Sequence, residues 1–275
     1  MRKGIMILVF IVASCFSPIT GQRNKPDISA DLERIFSRLL ENLNSQEKLA
    51  INDSLRLIIG SYASSDTVFN HRFNNLRYLG QITSPDSLIK IIAWNLILED
   101  GENRYFSYLI RRSAKTGPGK VYKISGLHRD SPISSDTIYS LSNWYGALYY
   151  DVKPFILNGQ VYYVILGIDF GNSFITRKII DVLSFDPKNE IVLGMKCFTD
   201  GKEIKPRIVF EYSSNAVMSL RFNNDVSIVF DHLSPSSPEN KDNRQFYGPD
   251  FSYDSYDFEN GLWILKTNID IRNKE

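Results

Sequence analysis

The chain has 275 residues, 43% of them hydrophobic, with 32 Lys and Arg against 31 Asp and Glu. That length suits one large β-rich domain or two small ones, and the near-balanced charge lacks the basic excess of a nucleic-acid-binding surface. Two cysteines, Cys15 and Cys197, are too few for a disulfide framework.

Arg2 and Lys3 precede an apolar run from Ile5 to Ala13, followed by small and turn-forming residues. This is the three-part layout of a secretory leader. The run is too short to cross a bilayer, which takes about 20 residues, and no later window approaches that length. Two processing routes are open. In one, residues 1–21 are a signal peptide cut after Gly21; in the other, "VASC" is a lipobox and Cys15 carries a lipid that tethers the chain to a membrane. Either route places the protein in the periplasm or on the cell envelope. Loss of Arg2 and Lys3 with the leader takes the 32 basic residues to 30, against 31 acidic ones. Cys197 then has no internal partner, and its apolar setting in "GMKCFTD" predicts a buried side chain.

Residues 22–65 read as a helical hairpin. Ile28, Leu32, Ile35, Phe36, Leu39, Leu40 and Leu43 recur at three- and four-residue steps, which predicts an amphipathic helix over 29–43. Ser45 is the expected cap of a second helix, with Leu49, Leu55, Ile58 and Ile59 facing inward and Gly60 ending it. Residues 66–275 read as a β-rich domain. Asp100–Gly101, Asn158–Gly159 and the segment from Asp186 to Asn189 are turn signals between runs of β-branched and aromatic residues, so each marks a hairpin. A short helix is expected after Ser135 or Asp136. Strands joined by such short turns are mostly antiparallel, since a parallel neighbour needs a long crossover. The expected fold is mainly β: an antiparallel meandering sheet curled as a barrel or sandwich, behind an N-terminal αα-hairpin. A propeller-like form is the alternative, suggested by one blade-like segment, residues 84–112.

Function is sought at the C-terminal end. The strand "SIVFDHL" delivers Asp231 and His232 to the edge of a Ser- and Pro-rich loop, a junction where a rigid base supports a variable segment. Neighbours in a regular strand point to opposite faces, so these two do not pair with each other. After the loop, Asp250, Asp254, Asp257 and Glu259 interleave with Tyr247, Phe251, Tyr253, Tyr256 and Phe258. Such a mixture suits sugar stacking or a ring-bearing lid over one end of the β-core. It lacks the ligand order and central glycine of an EF-hand. Asp231, His232, Tyr247, Asp250, Tyr253 and Asp254 are therefore the candidate ligand-binding residues, and Cys15 the candidate lipid attachment site. No catalytic residue, metal site or cofactor is assigned. Three dispersed histidines (His71, His128, His232) and one mature cysteine give no pair at zinc spacing, and "GIDFGNS" has neither the glycine spacing nor the lysine of a phosphate loop.

The segments "NWYGALYYDV", "QVYYVILGID", "RKIIDVLSFDP", "RIVFEYS" and "IVFDHLSP", followed by "QFYGPDFSYD", resemble an uncharacterised family of exported proteins from Bacteroides-type bacteria, over roughly residues 80 to 270. The resemblance implies an envelope address and brings no activity, cofactor or catalytic residue. The expectation is an exported, non-enzymatic envelope protein whose β-rich domain binds a glycan, a peptide or another envelope protein. The alternative is a carbohydrate-active hydrolase using two facing carboxylates, for which Asp169, Asp181, Asp231 and Asp250 are candidates. The lipid anchor is tested directly: a lipobox predicts that Cys15→Ala lowers the mass of the mature protein by the acyl groups and releases it from the membrane fraction, and an unchanged mass and fractionation rule it out.

Overall fold

The computed structural model describes residues 28–115, 117, 119–126 and 133–271; the leader, Cys15 and His128 lie outside them. Its hairpins form where the sequence supplies residues that accept positive φ. Gly101 (φ 81°), Asn158 (50°) with Gly159 (77°), Asn189 (64°), and Asn260 (52°) with Gly261 (85°) each sit in a turn between antiparallel neighbours.

Helices α1 (Ile28–Leu39) and α2 (Ser45–Ala63) come first. Strands β1 (Gly80–Thr83), β2 (Ile89–Ile97), β3 (Asn103–Arg111) and β4 (Lys120–Ser125) make a first sheet in simple meander order. A second sheet takes β5 (Tyr139–Ser140), β6 (Leu148–Leu157), β7 (Gln160–Asp169), β8 (Ile175–Phe185) and β9 (Ile191–Leu193) in the order β5-β9-β8-β7-β6. Next, β10 (Phe198–Thr199) and β11 (Ile204–Lys205) begin a third sheet. The chain then returns to the second, where β12 (Ile208–Ser213) pairs with the Ile175–Ile180 part of β8. Strands β13 (Leu220–Asn224), β14 (Ser227–Pro235), β15 (Tyr247–Glu259) and β16 (Leu262–Lys266) complete the third sheet, in the order β11-β10-β16-β15-β14-β13. Pairing is antiparallel except between β10 and β16, which run parallel.

Three hydrophobic cores stack these elements into four layers. Leu32, Phe36, Leu55 and Ile59 of the helices cover Ile92, Trp94, Phe106 and Tyr108 on the outer face of the first sheet. Ile89, Ile91, Tyr105 and Leu109 on its inner face meet Val152, Ile165, Ile179 and Leu183 of the second. The other face of the second sheet, with Val164, Leu166, Ile180 and Val182, packs on Phe198, Ile228, Phe230, Tyr256 and Trp263 of the third. Sheets buried on both faces need near-continuous apolar strands. This accounts for "LIKIIAWNLI" and "VYYVILGI", which show little alternation. Each such Leu, Ile, Val or Phe contributes about 1.5–3 kcal/mol on burial. The architecture is a β-sandwich with a helical cap; among the described residues no barrel closes, and the sheets are stacked rather than arranged as propeller blades.

Several local expectations are corrected. Asn44, not Ser45, caps α2: its Oδ1 accepts the Glu47 N–H at 2.9 Å and Glu47 Oε2 accepts the Asn44 N–H at 3.0 Å, a reciprocal capping box. The chain must turn to reach that cap, so α1 stops at Leu39 instead of 43. Gly60 does not end α2, which continues to Ala63; a Cβ on Gly60 would lie 2.9 Å from the Tyr108 hydroxyl, so glycine there permits helix and sheet to approach. No helix forms directly after Ser135 or Asp136, because the Ser134 and Thr137 carbonyls accept hydrogen bonds from Arg207 Nη1 (3.0 and 2.5 Å) instead of helical N–H groups. The aromatic and acidic tract is no loop lid: it is β15, between β14 and β16 in the interior of the third sheet.

Asp181 and Arg207, both fully buried, form the main charged contact of the interior. Arg207 donates to Asp181 Oδ2 from Nε (3.0 Å) and Nη2 (2.9 Å), and to the Leu193 carbonyl (3.1 Å). Tyr145 donates to the same carboxylate oxygen at 2.8 Å, and the Tyr139 ring lies 4.6 Å from the guanidinium. Burial pushes the Asp181 carboxyl up, while Arg207 and then the Tyr145 hydroxyl pull it down. Removing one member leaves an uncompensated buried charge. Asp181→Ala should therefore lower the urea-unfolding free energy by roughly 3–5 kcal/mol, whereas a combined Asp181→Leu and Arg207→Met variant should cost much less. Equal losses in both would show that the charges themselves are not what is felt.

Candidate functional site

The site is created by an irregularity in the β14–β15 ladder. Asp231 pairs with Tyr253, but Leu233 pairs with Pro249. One residue of β14, His232, therefore stands opposite three of β15: Asp250, Phe251 and Ser252. The extra length is held by Asp250, whose Oδ1 accepts the Ser252 N–H at 3.1 Å and the Ser252 hydroxyl at 2.7 Å. It is absorbed at Phe251, which has φ 70° and is 93% exposed. A left-handed backbone costs a bulky residue on the order of 1–2 kcal/mol.

The bulge lets His232 reach diagonally across the ladder. Its Nδ1 lies 2.8 Å from Asp254 Oδ2, and its Nε2 lies 4.0 Å from Asp250 Oδ2. Asp254 is buried, and its second oxygen accepts the Asn268 N–H at 2.9 Å, which fixes the carboxylate. The hydrogen bond to Asp254 raises the His232 pKa above 6.5; burial opposes this, and the charges of Asp254 and Asp250 add to it.

His232 and Asp254 open into a cleft of about 630 Å³, within the range of small-molecule and peptide sites. Its floor is aromatic. Phe210 and Phe230 have ring centroids 4.7 Å apart, Tyr256 stacks on Phe230 at 5.7 Å, and Phe198 meets Tyr256 edge-on at 5.7 Å. Burial first, then the Asp200 and Asp254 carboxylates, keep the Tyr256 hydroxyl protonated well beyond its usual range. Arg244 borders the cleft and lies 4.3 Å from the Tyr247 ring centroid.

The six candidate residues are only partly united. His232, Asp250 and Asp254 converge. Asp231 lines the same cleft, but its Oδ2 accepts the Ser219 N–H at 2.7 Å, a duty within the fold. Tyr247 donates to the Lys241 carbonyl at 2.6 Å and borders a separate, shallower depression. Strand alternation puts Tyr253 on the opposite face of the sheet from Asp254. Asp257 and Glu259 share Lys266, so the four acidic residues of the tract divide between two cationic centres. Among the described residues no group of three His, Cys, Asp or Glu could hold a metal ion.

The proposed hydrolytic carboxylates also separate. Asp181 binds Arg207. Asp169 accepts from the Tyr105 hydroxyl (2.9 Å) and from Arg177 (3.0 Å), which also binds Glu211 (2.7 Å). Cys197 is buried, and burial pushes its thiol far up. Sequence reasoning missed Phe198, Asp200, Phe210, Arg244 and Leu265. They come from β10 and the turn after it, β12, β16 and a one-turn 3-10 helix (Arg244–Phe246), brought together only by long-range pairing; Tyr256, another ring of the floor, lies in the aromatic and acidic tract of β15.

Fold and site define a helix-capped stack of three β-sheets with a cleft between the second and third. Comparison of the chain with family models, curated proteins and solved structures finds no match.

The paired histidine has a defined pH signature. With its folded pKa raised above 6.5, its contribution to stability is complete below that value and fades as pH rises through the folded pKa. An NMR titration of His232 should give a midpoint above that of a free histidine, falling when Asp254 is changed to Asn. A midpoint unaffected by Asp254→Asn would remove the pair from the solution structure.

Proposed function

We propose that this is an exported envelope protein whose β-sandwich binds a ligand in the cleft between β12 and the third sheet. The observation that carries this reading is the preorganised His232–Asp254 pair above a floor of stacked rings. A fixed polar anchor beside apolar surface is the usual composition of a recognition site. The arrangement favours holding over cleaving. The free nitrogen of His232 faces the Asp250 carboxylate, whereas a nucleophilic mechanism needs a hydroxyl or thiol there. The envelope address rests on the secretory layout of the first 21 residues and on the resemblance to exported proteins. No helix among the described residues is long and apolar enough to cross a membrane, so attachment to the envelope would come through Cys15 or a partner.

The test is a glycan and peptide array probed with the purified protein, with His232→Ala and with the Asp250→Ala/Asp254→Ala double variant. A ligand held in the cleft should lose at least about tenfold in affinity in both variants, roughly the loss of one charge-assisted hydrogen bond. Ligands retained undiminished by both would place recognition elsewhere on the molecule.

A further inference from the structure

Strand β12 is strand-paired on one edge alone. It pairs with β8 from Ile208↔Ile180 to Ser213↔Ile175, and among the described residues no strand pairs with its other edge; the one-turn helix Arg244–Phe246 packs against the strand without joining the ladder. The parity of the ladder shows which groups face outward. The Ser214 N–H donates to the Phe174 carbonyl at 2.9 Å, extending the same register by one residue. In an antiparallel ladder, hydrogen-bonded pairs alternate with non-bonded ones. Residues 208, 210 and 212 therefore bond to β8, while Val209 and Glu211 turn N–H and C=O away from it.

Those outward groups face the cleft. Five consecutive residues, 207–211, line it. A strand contributes consecutive residues of both faces to one wall when its edge forms that wall. The cleft thus has backbone donors and acceptors at two-residue spacing along one side, with the rings of Phe230 and Tyr256 in its floor. This is the complement of an extended polypeptide: main-chain pairing holds it, and alternate side chains enter the floor. A rigid sugar or a compact small molecule would leave the second set of edge groups unused.

The charges select among peptides. Arg207 is neutralised by Asp181, and Lys205 by Glu203 at 2.7 Å. Glu211 shares Arg177 with Asp169, and His232 stands between two carboxylates. Asp200 accepts the backbone N–H groups of Lys202 and Glu203 and feels the Lys202 charge, and with Asp254 it raises the Tyr256 pKa. Arg244 is the opposing charge, and carboxylates remain in excess.

We propose that the cleft takes an extended peptide carrying basic side chains, added as a strand to the free edge of β12 through Val209 and Glu211. The proposal rests on the cleft-binding reading above and names its ligand class.

The probe is an array of blocked peptides about eight residues long, a span matched to a strand and its ends, in which apolar residues alternate with Lys or, as the control, with Glu. The Lys series should bind the wild-type protein more tightly than the Glu series. N-methylation of every second residue should abolish binding in one register and spare it in the other, since an added strand uses alternate N–H groups. Val209→Pro removes one outward N–H at an edge position where proline is tolerated; it should bind the Lys series at least about tenfold more weakly than Val209→Ala, which loses the same side chain but keeps the N–H. The two N-methyl registers test the same point on the unaltered protein, should the proline variant misfold. Equal binding by both registers, indifference to a folded Val209→Pro, or no peptide bound at all overturns strand addition. If glycans are nevertheless captured and lost in His232→Ala, the cleft reading stands without it. If no captured ligand responds to the His232 and Asp250/Asp254 variants, both readings fall together.

Discussion

The buried contact between Asp181 and Arg207 sets the position of everything around the cleft. Asp181 belongs to β8 in the middle of the second sheet, and Arg207 immediately precedes β12. Their union, with the bonds from Arg207 to the carbonyls of Ser134, Thr137 and Leu193, ties four separate segments to one guanidinium. Withdrawing two charges from water is expensive, and an isolated pair often fails to offset the cost. Here Arg207 has five hydrogen bonds, and rings of Tyr139 and Tyr145 flank it at 4.6 and 5.1 Å. Such saturation makes the site exacting about geometry, since any shift of β12 would strand a charge. The wall of the cleft is held by an interaction with few tolerable alternatives.

That rigidity explains why a short strand can keep an unpaired edge. Exposed edges invite unwanted pairing, and proteins blunt them with charge, brevity or irregular neighbours. Strand β12 is six residues long, Glu211 places a carboxylate within it, and the facing ladder is broken at His232. Residues 207–211 of this edge line a cleft of mixed charge, which narrows what can approach. In the proposed binding mode, specificity against wrong partners and affinity for a right one come from the same groups.

The hairpins were legible because their signals are local. Asn158–Gly159 and Asp100–Gly101 need only themselves to reverse the chain, and doubly buried strands declare themselves as apolar runs. The interior position of β15 was not legible, for a physical reason. Its sequence, "YGPDFSYDSYDFE", carries three aspartates and reads as surface. Each is satisfied by groups remote in sequence or peculiar to the bulge: Asp254 by His232 and the Asn268 N–H, Asp257 by Ser227 and Lys266, Asp250 by Ser252. A polar residue in a central strand is expensive only while unpaired, and pairing across 9 to 30 residues leaves no trace in a short window. The same holds for the site. Proximity in sequence suggested His232, Asp250 and Asp254 together, and a bulge brought them together. Phe198 and Phe210, equally close in space, gave no local signal.

The four layers follow the order of the chain almost throughout: helices, first sheet, second sheet, third sheet. The exception is the short ribbon β10–β11, made early but docked parallel on β16, more than sixty residues later. During synthesis the helical cap and the first two sheets can consolidate while that ribbon waits without its neighbour. Closure of the third sheet, and with it the aromatic floor, therefore waits for β16, the last strand of the described residues. A chain stopped short of Leu262 would keep most of its hairpins yet leave Phe198 and Tyr256 bare, a sticky intermediate of the kind that chaperones hold.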